Sequence, residues 1–347
     1  MGIYDSETYG KDLDLAAAHA VGIGSLKGKS VLITGVTGTI GSFLADMLIR
    51  HSRGSGLGIT VYAAGRDPKK LQGRYGGFPE VKILPYDMNR PIAFDVPVDY
   101  IIHGAGNAHP AAFNGDPVGT IMGNVAGVYA LLEYGRDHGC RRFLYLSSGE
   151  VYGQGDLSME EFAESYGGFV DPVLPRSCYP SSKRAAENLC VCYSGQFGLE
   201  TVIARPCHTY GPQMTDADNR AHAQFIRNAL KGEDIVLKSP GSQLRSYNYV
   251  ADCASAVMTA LLKGTPKEAY NIANPKARLT IAQLAGVIAK TVGRKVVFAS
   301  PDAADIAGRT PIAKQVLSSR KLEGLGWSGA YSIEKGIRHT IDILCGN

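Results

Sequence analysis

Short apolar runs alternate with amphipathic stretches along the first two thirds of the chain. KSVLITG (29–35) has the continuous apolar character of a buried strand. The following GTIGSFLADMLIRH repeats Ile40, Phe43, Leu44, Met47 and Leu48 on one helical face. The alternation continues: strands are expected at 58–66, 81–87, 98–106, 141–148 and 200–206, and helices at 120–139 and 179–198. Another helical pattern lies around 13–20. Strands of this kind, separated by helices, imply βαβ crossovers and a doubly wound parallel sheet covered on both faces. Ligands bind such sheets beyond the C-terminal strand ends. Gly35, Gly104, Ala105, Gly106, Ser148 and Pro206 fall there.

After residue 206 the rhythm loosens. Helical spacing returns within 211–233 and over 281–293, which reads as a smaller lobe and not as a second copy of the first unit. The expected organisation is an N-terminal extension over 1–27, a main domain over 28–206 and a lobe over 207–347, with 241–262 returning to the main domain. A chain of 347 residues, 45% hydrophobic, is long enough for that core. Its 42 glycines are dispersed, a sign of tight turns and not of low complexity. A formal net charge of +4 without a run of like charges argues against a nucleic-acid partner. No apolar stretch reaches the ~18 residues of a membrane span. The acid-bearing start MGIYDSETYGKD does not read as a signal peptide. Cys140, Cys178, Cys190, Cys192, Cys207, Cys253 and Cys345 are scattered without metal-type pairs, so a cytoplasmic protein with reduced thiols and no metal is expected.

TGVTGTIG places Gly35, Gly38 and Gly41 between the first strand and its helix. The first glycine permits the turn, the second lets a pyrophosphate approach the backbone, and the third lets helix pack on strand. The helix N-terminus at Thr39 and Ile40 offers free N–H groups to the phosphate. The fold class is therefore α/β, a Rossmann-type doubly wound parallel sheet with a smaller C-terminal substrate-binding lobe. The second strand should end in an acid that holds the ribose 2′-hydroxyl, yet it runs VYAAGRD with Ala63 at that place. Either Arg66 accepts a 2′-phosphate and the cofactor is NADP, or Arg66 is a solvated loop residue and Asp67 serves as the acid for NAD. Asp87 and Met88, after the third strand, are placed to hold the adenine or form an ordinary turn.

In CYPSSKR, Tyr179 and Lys183 stand four residues apart, on one face of a helix. A nearby ammonium favours the phenolate and is expected to lower the tyrosine pKa, and the lysine can also reach a cofactor ribose. Such a phenol takes a proton from a sugar hydroxyl while hydride leaves for a nicotinamide. The pair gains weight from order: glycine turn, strand ending in Ser148, then Tyr179 and Lys183.

With these motifs in place, the sequence resembles the extended short-chain dehydrogenase/reductases, in the group of nucleotide-sugar epimerases, dehydratases and decarboxylases. The resemblance runs from about Gly28 to Ile341. It includes HGAG (103–106), Asn124 in NVAGV, ARPCHTYGP (204–212), GSQLRSYNYVAD (241–252), YNIAN (270–274), LTIAQLA (279–285) and LGWSGAYSIEKGI (325–337). It implies a nicotinamide cofactor, NAD or NADP, reduced and reoxidised within one cycle, a nucleoside-diphosphate sugar as substrate, and a homodimer. Carried over by position, Ser148 bridges the sugar 4-hydroxyl and the tyrosine, Tyr179 is the base, and Lys183 tunes it and binds ribose. Arg245 grips the nucleotide phosphates, or is a surface salt-bridge partner.

The stretch LYLSSGEVYGQG narrows the reaction. The resemblance implies that dehydratases carry an Asp-Glu pair after this position, whereas decarboxylases of nucleotide-linked glucuronate carry Ser-Glu; here it is Gly149 and Glu150. Without the acid, expulsion of the C6 hydroxyl loses about 10²–10⁴-fold of general-acid help. Decarboxylation needs no such acid, because a C4 ketone makes the C5 carboxylate a β-keto acid. PRSCYPSSKRAAENLC and GSQLRSYNYV also look more like the decarboxylases. The departures are GNAHPAAF (106–113), where a proline-rich stretch is usual, and His208, where the family has asparagine. His208 donates to a sugar or phosphate oxygen, or is a packed core residue; His109 lines the sugar site or solvates a loop. A UDP-glucuronate decarboxylase-like reaction is the first expectation, a 4,6-dehydratase or 4-epimerase the alternative, and a non-catalytic dinucleotide-binding protein the alternative of a different class.

Overall fold

Val31 and Leu32 point to opposite faces of one strand, and both are fully buried, so the sheet carrying them is covered on both sides. The computed structural model describes residues 2–106, 108–215, 218–301 and 312–346. The strands are β1 (Ser30–Thr34), β2 (Thr60–Gly65), β3 (Val81–Pro85), β4 (Tyr100–His103), β5 (Arg142–Leu146), β6 (Glu200–Pro206) and β7 (His208–Tyr210). β8 (Ile235–Leu237), β9 (Leu244–Tyr249), β10 (Ala269–Ile272), β11 (Arg278–Thr280), β12 (Val296–Phe298) and β13 (Lys314–Gln315) follow. Seven of them form one parallel sheet in the order β10-β6-β5-β4-β1-β2-β3. Its register sets Thr34 opposite Ala64 and His103, and His103 opposite Tyr145, so the C-terminal ends of the central strands finish nearly flush.

The helices that matter here are α1 (Glu7–His19), α2 (Thr39–Ser55), α3 (Pro68–Tyr75), α4 (Pro110–Gly115), α5 (Pro117–Asp137), α6 (Cys178–Phe197), α7 (Ala221–Leu230), α8 (Val250–Lys263) and α9 (Ile281–Thr291). Val31, Ile33, Val61, Ile102, Leu144 and Val202 face a core shared with α1, α2 and α8. Leu32, Tyr62, Ile101, Phe143, Tyr145 and Ile203 face the second core, with Val128, Leu131 and Leu132 of α5 and Ala186 and Cys190 of α6. Each large apolar side chain so buried contributes ~1.5–3 kcal/mol. The alternation along the strands thus sorts the helices into two layers.

Element ends differ from the expected ones for local reasons. β4 stops at His103 because the Gly104 and Ala105 N–H groups turn to the Thr34 hydroxyl, both at 3.2 Å. α5 begins at Pro117, three residues early, since the Asp116 carboxylate caps it by accepting from Gly119 N at 2.9 Å. In the later part of the chain, β9 is flanked by β11, β13 and β7, while β8 pairs with β12. The parallel sheet takes its outermost strand, β10, from beyond residue 262.

The N-terminal segment is part of the core. Ser6 caps α1 by accepting from Tyr9 N. Asp12 of α1 is fully buried and accepts from Tyr249 Oη (2.5 Å), Tyr331 Oη (2.6 Å) and His339 Nδ1 (2.8 Å). Asp46 of α2 accepts from Tyr4 Oη, Tyr9 Oη and Arg74 Nη2. Among the described residues, no helix is long and apolar enough to cross a membrane.

Candidate active site

A cavity of about 950 Å³ opens over the C-terminal strand ends. Its floor at β1 is the glycine turn. Gly35 adopts φ +72°, and a Cβ there would lie 2.6 Å from the Gly104 carbonyl oxygen, so only glycine fits. Gly38 is the N-cap of α2 and supplies no capping side chain, which leaves the first-turn N–H groups open to an anion. Thr39, Ile40 and Gly41 line the same wall, as do Asp87, Met88, Gly104, Ala105 and Gly106. A cradle that a Cβ would fill, at an uncapped helix N-terminus, fits a pyrophosphate. At the end of β2 the lining residues are Gly65 and Arg66, not Ala63, which is buried within the strand. Asp67 does not line the cavity; its carboxylate caps α3, accepting from Lys70 N at 3.0 Å. Asp67 Oδ1 thus serves a helix N-terminus in this structure.

Ser148, Glu150, Tyr179, Lys183 and Pro206 line one stretch of this cavity. β5 delivers Ser147 and then Ser148, whose Oγ accepts from Glu150 N at 3.1 Å and so caps the single turn Gly149–Tyr152. α6 is tied down by Glu187, which accepts from Ser147 Oγ (2.5 Å) and takes Arg205 in a fork at 2.9 and 2.6 Å. Tyr179 is buried with its ring stacked on Phe113, centroids 5.0 Å apart at 14°. Burial first, and the Glu150 charge second, push its phenol up to about 12; Ser148, Arg220 and Arg176 pull the other way. Lys183 does not tune it as the spacing suggested. Its Nζ donates to the Leu146 carbonyl at 2.8 Å and lies over the Tyr145 ring at 4.6 Å, against 5.8 Å for Tyr179. Burial pushes Lys183 down to about 8. Neutral His103 shares a hydrogen bond with the Thr34 hydroxyl at 2.7 Å, its pKa pushed down to about 3 by burial and the lysine charge.

On the lobe side, His208 and Arg245 enter the cavity. His208 meets Tyr247 edge-on at 5.8 Å, and burial holds it neutral, far below the usual histidine range. Arg245 is not a surface residue: it is 3% exposed and donates to the Leu244 and Ile312 carbonyls. A buried guanidinium satisfied by backbone carbonyls suits an anionic ligand. His109 lies outside the lining, just before α4, with a buried Nδ1 that has no partner. Asn124 lies outside too; its Nδ2 donates to Ser182 Oγ at 3.0 Å, joining α5 to α6.

The sequence reading missed several lining residues. Arg176 pairs with Glu150 (2.8 Å), Arg220 pairs with Asp218 (2.6 Å), and His222 Nε2, Gln243 Oε1 and Gln315 Nε2 are buried without partners. Arg176 and Gln243 stood inside stretches already singled out, PRSCY and GSQLR, but which way they face depends on the fold. Gly149 also gains an explanation. It does not line the cavity, and a Cβ there would lie 2.9 Å from Leu317 Cδ1. Packing against Leu317, and not only the loss of an acid, keeps this position small.

The model of the NAD dependent epimerase/dehydratase family matches residues 31–273. UDP-glucuronic acid decarboxylase 6 of Arabidopsis thaliana is 34% identical over 312 residues, covering 88% of this chain and 86% of the relative. Among solved structures, dTDP-glucose 4,6-dehydratase of Streptomyces venezuelae, bound to NAD, superposes with a TM-score of 0.78 at 23% identity, covering 92% of this chain and 97% of that one. UDP-glucose 4-epimerase of Thermus thermophilus, in complex with NAD, gives 0.73 at 26% identity, covering 91% and 99%.

Proposed function

Because the chain belongs to the NAD dependent epimerase/dehydratase family, we propose that it modifies a nucleotide-linked sugar by transient oxidation at C4, and that the reaction is decarboxylation of a nucleotide-linked glucuronate. The observation that carries this reading is the meeting of Ser148, Glu150, Tyr179 and Lys183 with the glycine cradle in one cavity. NAD, when bound, accepts the C4 hydride and returns it.

The chain's own groups do the rest. The Tyr179 phenolate takes the 4-hydroxyl proton, and Ser148 orients that hydroxyl. Lys183, held by the Leu146 carbonyl, is assigned to the cofactor ribose. Arg245 holds the diphosphate, and His208 borders the sugar. Once C4 is a ketone, the C5 carboxylate is β to it. The C5–carboxyl bond breaks, CO₂ leaves, its bonding pair remains in the enolate, and C5 takes a proton.

Loss of water from C6 instead asks for a proton donor. Among the described cavity residues the carboxylates are Asp87, Asp116 and Glu150. Asp116 caps α5, Asp87 sits at the end of β3, and Glu150, the one beside Ser148, is in an ion pair with Arg176. The carboxylate beside Ser148 is thus already engaged by Arg176, which supports decarboxylation. The test is incubation of the NAD-loaded protein with UDP-glucuronate and mass spectrometry of the product. A product lighter by CO₂ is expected. One lighter by water, or an isomer, transfers the protein to the dehydratase or epimerase reading.

The assembly follows from α5. Val118 (70% exposed), Ile121, Met122 and Tyr129 put large apolar side chains on its outer face beside α6. We assign this face to a second copy of the chain. Light scattering on eluted protein is expected to give a dimer and Met122→Glu a monomer; a monomeric wild type at micromolar concentration excludes the pairing.

A further inference from the structure

Arg176 lies in the single turn Pro175–Ser177, immediately before α6 and three residues ahead of Tyr179. Its Nη2 donates to Glu150 Oε2 at 2.8 Å, with the two side chains 28% and 22% exposed. Its guanidinium carbon stands 4.6 Å from the centroid of Phe113, the ring stacked on Tyr179. The group therefore touches the carboxylate next to Ser148 on one side and the aromatic backing of the base on the other. Both Arg176 and Glu150 line the cavity.

A partly exposed ion pair contributes little to stability. Its weight lies in which substrate the site admits. Glu150 places a fixed negative charge beside the reacting carbons, so a sugar that brings its own carboxylate meets repulsion, while a neutral sugar does not. The guanidinium has five N–H donors, and one of its bonds goes to Glu150. Its position over the Phe113 ring, together with the bond to Glu150, restrains the fork, so little further ordering is needed to engage a second carboxylate.

We propose that Arg176 determines specificity for a carboxylate-bearing sugar: it neutralises Glu150 in the free protein and presents its remaining N–H groups to the substrate carboxylate. This rests on the decarboxylase reading and extends it to the residue that recognises the departing group. Loss of CO₂ removes the second anion, leaving Arg176 to Glu150 alone, so product is held less tightly than substrate. The groups facing Tyr179 are Ser148 and Glu150 from the end of β5, Arg176 from the turn before α6, Lys183 from α6 itself and Arg220 from the segment before α7. Of these Arg176 alone is seen to bond the Glu150 carboxylate, so its loss also exposes the phenol to that charge.

The experiment measures binding without turnover, by calorimetry on NAD-loaded Tyr179→Phe protein with UDP-glucuronate and UDP-glucose. Adding Arg176→Gln is expected to weaken UDP-glucuronate about tenfold or more, the worth of a charge-assisted hydrogen bond, and to change UDP-glucose by less than about threefold. Arg176→Lys should restore part of the loss, and Glu150→Gln in place of Arg176→Gln should tighten UDP-glucuronate. Equal weakening of both sugars, or no change in either, overturns the assignment. Release of CO₂ by the wild-type protein is scored separately: selective binding without CO₂ keeps the assignment and removes decarboxylation.

Discussion

Tyr179→Phe is expected to lower turnover about 10³-fold, within the range that a positioned acid–base group contributes, while melting temperature and NAD binding stay near wild type. The substitution removes one oxygen and keeps the ring that stacks on Phe113 at 5.0 Å. The phenol's contact with Ser148 is lost with the oxygen, while Ser148 keeps its bond from Glu150 N, and Lys183 keeps the Leu146 carbonyl and the Tyr145 face. The measurement is the absorbance of reduced nicotinamide on mixing with UDP-glucuronate, together with product yield. The pH dependence gives a second reading. The reactive form is the phenolate, and the phenol stands at about 12 in the absence of ligand. Its deprotonated fraction grows as pH rises, so wild-type turnover climbs from neutral into alkaline conditions, whereas the variant stays flat. Unchanged turnover in Tyr179→Phe would remove Tyr179 as the base.

Asp12→Ala is expected to destabilise the protein by ~3–5 kcal/mol, since each buried donor left without its acceptor costs ~1–3 kcal/mol. The carboxylate accepts from two tyrosine hydroxyls and a histidine ring, and alanine leaves the Tyr249 and Tyr331 hydroxyls buried without their acceptor. The midpoint of thermal unfolding should fall by roughly 6 °C or more. Asp12→Asn should cost less, since its carbonyl oxygen still accepts while its amide opposes a donor. Urea titration of the three proteins checks the order, and a change below about 1 kcal/mol in Asp12→Ala would mean that the cluster is not stabilising.

Much of this molecule can be read before folding is considered. Short continuous apolar runs place β1 to β6 and helical spacing places α2, α5 and α6, because the inner strands are buried on both sides and the helices bury one face. The glycine turn and the Ser148, Tyr179 and Lys183 series are local patterns whose geometry follows from one strand end or one helix turn. What stays hidden depends on competition for groups. Lys183 seemed free to tune Tyr179, but a carbonyl and a neighbouring ring hold it. The sequence leaves Asp67 open to a ribose, while in the fold its Oδ1 caps a helix N-terminus. Arg176 meets Glu150 across 26 residues of chain, and no periodicity announces that pair. The N-terminal segment offered no motif at all, because its three partners lie in other parts of the sequence.

That last separation has a consequence for the order of assembly. The bond from His339 to Asp12 joins residues 327 apart, and the strand that closes the sheet beside β6 lies at 269–272. Contacts this distant in sequence close late, after the local ones have formed. α1 is therefore among the last elements to be fixed, its acid waiting until Tyr249, Tyr331 and His339 have been brought to it.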